Sequence, residues 1–489
     1  MKTHRILGLA AVMILAAACG GKGGPEPKVA GNGTGTKPHE VVPEAKEKFD
    51  SALQAMVGHD NKADWTAASC KDVAQQFLAA VDEQKKANKP LPEGYYDAGL
   101  AYQRCGMDAD AKAQFQAAIV QAPGFHRAKV QLALYDYKDK GDAALDATIQ
   151  KLQDAVVEAK FQNVDALVNL AMLQMKRNGP TGQQGCSNDM ECAKLNIQRA
   201  LAIDDGYMPA FNQLALYYLN EAHAKAEKND KGRKGRRGLV AAGGETEELS
   251  GQMLDLAALV CSQAIRKNAK YAPIYNTLGL IQVEQKNINN AVQAFNTART
   301  LDPNFFAAQM NYAAVNLSFR GFDQAEAAYR QALKLRPDNY EAELGLALAI
   351  RGQINDSNWD KNLKEAQAAL DRCKQLQPNR PEAYFNDAIL TQEYKAKNAK
   401  SDEETIRVLT QARGMFDTFI QKAGAAPEFA DAVKNAKDRQ EDIDKMVTFI
   451  KQGQEEEKAA KAAAAAASAH PAASSSAAPA GSAAPAGSR

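Results

Sequence analysis

Seven side chains that recur at fixed offsets in a unit of 34 residues constrain this chain more than anything else in it. In the unit that starts at Ala272, positions 4, 7, 8, 20, 24, 27 and 32 are Tyr275, Leu278, Gly279, Ala291, Phe295, Ala298 and Pro303. The next unit follows without a gap and has Tyr312, Ala313, Ala325, Tyr329, Ala332 and Pro337 at positions 7, 8, 20, 24, 27 and 32. A third, from Pro92, has Tyr95, Ala98, Gly99, Tyr102, Ala111, Phe115, Ala118 and Pro123. Positions 4, 7, 8 and 11 share one face of a first helix, and positions 20, 24 and 27 share one face of a second. Small residues at 8 and 20 let the two helices approach, and the large residue at 24 fills the space behind them. Proline at 32 ends the second helix.

This spacing resembles the tetratricopeptide repeat. The resemblance implies an all-α fold, an α-solenoid of helix pairs wound into a right-handed superhelix, with partner proteins bound along the first helices. Weaker copies with insertions start near His126, Val164, Met208, Tyr340 and Pro381, giving about eight repeats over 92–426. The inserted loops are expected at about 177–192, 220–250, 352–362 and 396–408. Capping helices are expected at 44–91 and 427–458, because the end faces of such a stack need covering.

The ends of the chain have a different composition. Lys2, His4 and Arg5 precede an apolar run from Ile6 to Ala18, too short for a comfortable span and suited to a secretory signal over 1–18. Ala16, Ala17 and Ala18 stand directly before Cys19, which resembles a bacterial lipoprotein signal. That resemblance implies a lipid on Cys19 as the new N-terminus, although Ala16 stands where leucine is commonest. The alternative is an ordinary signal peptide cut near Ala18. Gly20 after the cysteine resembles the outer-membrane sorting class. Residues 19–43 are rich in Gly, Pro, Lys and Thr and read as a tether. Gly31-Asn32-Gly33-Thr34-Gly35 has no strand before it and reads as linker, not as a phosphate loop. Residues 459–489 are Ala, Ser, Pro and Gly, cannot form a core, and read as a disordered tail.

Sixty basic residues against 59 acidic ones leave no overall field directed at nucleic acid. After the N-terminus no apolar run reaches the roughly 18 residues of a spanning helix. The six histidines, His4, His39, His59, His126, His223 and His470, show no metal-binding spacing, and no catalytic motif occurs. The expectation is therefore no enzyme activity, no metal and no cofactor beyond the covalent lipid on Cys19. Export permits disulfides. Cys186 and Cys192 flank a short polar stretch and form the first candidate pair. Cys70 in the cap and Cys105 at the end of a first helix form the second. Cys261 and Cys373, at positions 24 and 27 of repeats three units apart, read as small buried residues.

A basic run, Lys231, Arg233, Lys234, Arg236 and Arg237, lies in the 220–250 insertion. It reads either as a docking arm for an anionic lipid, glycan or acidic protein face, or as a solvated disordered loop. The expected partner-binding groove is lined by positions 5 and 9. Position 9 is Leu100, Leu134, Met172, Leu216, Leu280, Ala314, Leu348 and Ile389. Position 5 is Tyr96, Val130, Val168, Asn212, Asn276, Met310, Leu344 and Phe385. This mostly apolar stripe suits a bound helix or extended segment, or packing between repeats. Position 9 carries no asparagine, so the carboxylate clamp of chaperone-binding relatives is missing and tails ending in an EEVD-like sequence are not expected as ligands.

The whole layout of signal, tether, repeats with inserted loops and Ala/Pro-rich tail resembles the repeat lipoproteins of the myxobacterial adventurous gliding-motility machinery. It implies a scaffold anchored at the outer membrane, on its periplasmic side, whose partners are outer-membrane and periplasmic proteins of an envelope-spanning complex. Other readings of the same layout are a pilotin-like lipoprotein that helps a pilus secretin assemble, and an accessory regulator of cell-wall enzymes.

Overall fold

In a computed structural model, the structure describes residues 40–469 other than 63, 182, 184 and 236–242; within 227–249 and over 466–469 it describes the backbone alone. Cys19, the tether before residue 40 and the tail beyond 469 lie outside the described residues. All the regular elements described are helical, and the single β-bridge, Pro180 to Asn188, is isolated. The chain divides into two compact units, 1–336 and 337–489.

The first unit is built of antiparallel helix pairs. A cap pair, α1 (Pro43–Lys62) and α2 (Ala67–Lys86), precedes α3 (Pro92–Arg104) and α4 (Asp108–Gln121). Then come α5 (His126–Lys140) with α6 (Leu145–Glu158), α7 (Val164–Arg177) with α8 (Asp189–Ile203), and α9 (Met208–Gly235) with α10 (Gly243–Lys267). The two regular repeats, α11 (Ala272–Glu284) with α12 (Ile288–Leu301) and α13 (Phe306–Ser318) with α14 (Phe322–Leu335), complete it. Where position 8 is glycine, the position-24 ring packs directly on it: a Cβ added to Gly99 would lie 2.6 Å from the Phe115 ring. Phe115 and Phe295 are fully buried, as are Ala111, Ala291 and Ala325 at position 20. The turn between helices puts position 15 in the left-handed region in three repeats, at Gly106, Lys286 and Arg320. Glycine adopts that conformation without penalty, whereas lysine and arginine do so at a cost of about 1 kcal/mol.

The second unit holds α15 (Tyr340–Gly352) with α16 (Trp359–Leu376), α17 (Glu382–Leu390) with α18 (Asp402–Ala423), and the closing helix α19 (Ala430–Ala469). Phe416 and Phe419 of α18 form its core with Ile443 of α19.

Three insertions differ from the sequence expectation. In the 220–250 insertion the described backbone is helical up to Gly235 and again from Gly243, so α9 and α10 extend into it. The stretch after Asn220 has no proline and is rich in Ala, Glu and Lys, so the helix continues through it. After α17 the chain continues through one π turn, Thr391–Lys395, and a short 3-10 turn, Ala396–Asn398, so the insertion expected at 396–408 is mostly helical. Near 352–362 only residues 353–358 leave the helices. At the C-terminus, α19 runs past 458 to Ala469; Pro471 disfavours helix at the residue before it.

Candidate partner-binding surface

In the first unit the first helices α3, α5, α7, α9, α11 and α13 present position 9. Leu100, Leu134, Met172, Leu216, Leu280 and Ala314 are each half-buried, with one side left to solvent. Position 5 is not a uniform lining. Tyr96 (2 % exposed), Val130 (1 %) and Val168 (2 %) are core residues, and Asn276 (8 %) is buried as well. Tyr96 is held between the Phe115 and Phe125 rings, with centroids 5.6 and 5.5 Å away. Packing between successive repeats takes these side chains, so a partner in the groove meets position 9. Asn212 and Met310, also at position 5, are half-buried.

Position 6 adds a polar line. It is Asp97, Gln131, Asn169, Gln213, Thr277, Asn311 and Asn386 in seven repeats, and glycine in the repeat of α15. In the first unit three of these residues join successive first helices. Gln103 Nε2 donates to Gln131 Oε1 (3.3 Å), Thr277 Oγ1 to Asn212 Oδ1 (2.7 Å), and Asn311 Nδ2 to Asn276 Oδ1 (2.8 Å). The signal was present in the sequence as a polar residue at position 6 of seven repeats, but periodicity alone does not say that it bonds across repeats.

Charge gathers at the N-terminal end of this face. Arg104 donates through Nε and Nη2 to both oxygens of Asp60 (3.0 and 3.1 Å), which also accepts from Trp65 Nε1 at 2.8 Å. The Arg127 guanidinium stacks 4.7 Å from the Tyr96 ring and lies 3.9 Å from Asp165, which accepts from the Tyr207 hydroxyl. Tyr96, then Asp165 and Asp97, hold Arg127 protonated. Burial lifts the Asp97 carboxyl to about 6, against the pull of Arg127 and Arg104.

Cysteine chemistry is structural. Cys70 of α2 and Cys105 at the end of α3 are bonded, with Cα atoms 6.3 Å apart, and Cys186 is bonded to Cys192 across 5.2 Å. The second bridge closes the 177–192 insertion onto the start of α8. There the fully buried Asp189 side chain accepts from Arg177 Nε and Nη2 (2.7 Å each) and from the Gly179 amide (2.9 Å). Cys261 and Cys373 are free and buried, and burial pushes both thiols up to about 12. Among the described residues no cluster of three His, Cys, Asp or Glu could hold a metal, and no helix is long and apolar enough to cross a membrane. In the basic run, Lys231, Arg233 and Lys234 fall on the last turns of α9 in backbone only. Arg236 and Arg237 lie outside the described residues.

In the second unit the same face is made by α15 and α17. Leu344, Leu348 and Phe385 are half-buried, and Ile389 is 9 % exposed.

A family model described as tetratricopeptide repeat matches residues 272–305 and 311–339. The Hsp70-Hsp90 organizing protein 1 of Glycine max is 26 % identical over 273 residues, 55 % of this chain and 44 % of that protein. The chain thus spans less than half the length of this curated relative. Among solved structures, a thermophilic TPR protein of Thermus thermophilus is 21 % identical, covering 46 % of this chain and 99 % of that one at a TM-score of 0.36. The pilF protein of Pseudomonas aeruginosa is 19 % identical, covering 53 % and 95 % at a TM-score of 0.34. With the position-24 ring packed on the position-8 glycine in α3–α4 and in α11–α12, and the family match at 272–305 and 311–339, the described residues have the fold of a tetratricopeptide-repeat solenoid.

Proposed function

We propose that this chain is an exported, lipid-anchored scaffold that binds partner proteins of an envelope-spanning machine, the gliding-motility complex, along the first-helix faces of its repeats. The observation that carries the binding role is the row of half-buried apolar side chains at position 9, Leu100 to Leu280 in the first unit and Leu348 in the second. Such residues pack well enough to be ordered and keep a face for a partner's apolar residues. The two disulfides favour an oxidising compartment, where bridges persist. The anchor on Cys19 and the outer-membrane location are supported by the sequence of the leader. The choice of machine is supported by the resemblance in layout.

The test is a pull-down from envelope extracts with the chain carrying Leu280→Asn and Leu348→Asn. Loss of specific partners supports groove binding, and an unchanged partner set counts against it. Cys19→Ala is expected to move the protein from the outer-membrane fraction to the soluble periplasm; retention in the membrane fraction would remove the anchor from the proposal. Deletion is expected to impair single-cell gliding, with pilus extension and wall lysis intact.

A further inference from the structure

The second unit carries an arginine, Arg351, that has no carboxylate at ion-pair distance among the described residues. Arg351, at position 12 of the first helix α15, follows Leu344 and Leu348 on the same helical face. Its Nη1 donates to the side-chain Oδ1 (3.1 Å) and the backbone carbonyl (3.5 Å) of Asn386 on α17. Among the described residues no carboxylate lies within ion-pair distance of it. The arginines whose side chains are described on the first helices of the other unit are different: Arg104 is bridged to Asp60, Arg127 approaches Asp165, and Arg177 is bridged to Asp189 and Asp146. Burial lowers the Arg351 pKa from its ordinary value, with Tyr394 and Glu393 partly offsetting that and Arg439 adding to it.

A second guanidinium stands nearby. Arg439 of α19 donates to Gln392 Oε1 at 2.9 Å and pairs with Glu393 at 2.8 Å. Gln392 and Glu393 belong to the π turn Thr391–Lys395 that extends α17, and such turns are frequent at functional sites. Two guanidiniums against one carboxylate leave this corner one positive charge in excess. The apolar row of Leu344, Leu348 and Phe385 runs up to it.

We propose that this corner takes the side-chain carboxylate of an aspartate or glutamate in a partner protein segment, whose apolar residues lie on Leu344, Leu348 and Phe385. The proposal rests on the reading that the first-helix face binds proteins, and deepens it by naming the chemistry of the segment. Arginine presents a planar fork matched to a carboxylate, and a charge-assisted pair there gains from partial shelter from water. A segment that crosses α15, α17 and α19 passes the arginines in mid-course, which favours an acidic side chain over a chain end.

The test uses the full mature chain and a display library of short random segments fused so that none has a free C-terminus. Enriched segments are expected to carry an acidic residue beside apolar ones. Replacing that residue by its amide in the best segment is expected to weaken binding about tenfold or more. Arg351→Gln should abolish the difference between the acidic segment and its amide. This variant is expected to fold, since no carboxylate loses its partner, and the acid-to-amide comparison on the unaltered chain needs no variant at all. Enrichment without acidic preference, or a preference that Arg351→Gln retains, overturns the proposal. So does binding only by segments with a free C-terminal carboxylate. If Leu348→Asn abolishes binding while Arg351→Gln changes nothing, groove binding stands and the carboxylate site falls. If no segment is enriched, both fall.

Discussion

The Phe295 ring lies so close over Gly279 that a Cβ added to the glycine would meet it at 2.5 Å. The two residues belong to the facing helices of one repeat, and Phe295 is fully buried, so the ring has nowhere to move. Alanine at a mid-helix glycine would ordinarily gain about 1 kcal/mol of helix propensity. Here overpacking outweighs that gain. Gly279→Ala is expected to cost about 2 kcal/mol net, read as a lowered midpoint in denaturant. Gly414 of α18 has nothing within 4 Å of an added Cβ. Gly414→Ala should therefore gain about 0.5–1 kcal/mol. Equal effects at the two sites would mean that the ring does not rest on the glycine.

The Cys70–Cys105 bond closes a loop with a sequence separation of 35, and Cys186–Cys192 one of 6. On loop-closure grounds the first should contribute about 3–4 kcal/mol and the second about 2. Thermal melts of Cys70→Ala/Cys105→Ala and Cys186→Ala/Cys192→Ala should rank in that order. Peptide mapping should find both bridges, while Cys261 and Cys373 react with iodoacetamide only after unfolding. Alkylation of either in the native protein would contradict their burial.

Asp97 supplies a pH signature. Its folded-state pKa, about 6, lies above its ordinary 3.8 because burial disfavours the charged carboxylate. A group raised in this way contributes stability that is fully present below the ordinary value and is lost as pH rises through about 6. Asp97→Asn should then be more stable than the parent at pH 7.5, by about 1–2 kcal/mol after allowance for partial exposure. The difference should vanish near pH 4. A variant less stable at neutral pH would show that Asp97 is needed as a charged partner of Arg127.

Asp189 is the reverse case, a buried carboxylate with its donors supplied by the fold. Asp189→Ala leaves Arg177 without its two-pronged partner and the Gly179 amide unbonded. The expected loss is about 3 kcal/mol, with the 177–192 segment opened to protease first. Proteolysis followed by mass spectrometry checks the site, and cleavage elsewhere would assign the anchoring to the disulfide alone.

The sequence determined the repeat. Period, helix pairing, the glycine under the phenylalanine and the proline after the second helix are local preferences, repeated often enough that their sum is decisive; the face that carries Leu280 and Leu348 follows from the same period. What lay beyond it came from stacking. Whether Tyr96, Val130 and Val168 line a groove or a core depends on the neighbouring repeat that covers them, and periodicity treats the two alike. The length of α9 and α10 was hidden because an insertion rich in helix formers reads as a break in the repeat rather than a continuation of its helices. The contrast between a neutralised Arg104 and an Arg351 without a carboxylate was equally invisible. The partners that decide it, Asp60 for one and Asn386 for the other, are distant in sequence, and only the tertiary structure sets which long side chains reach each other.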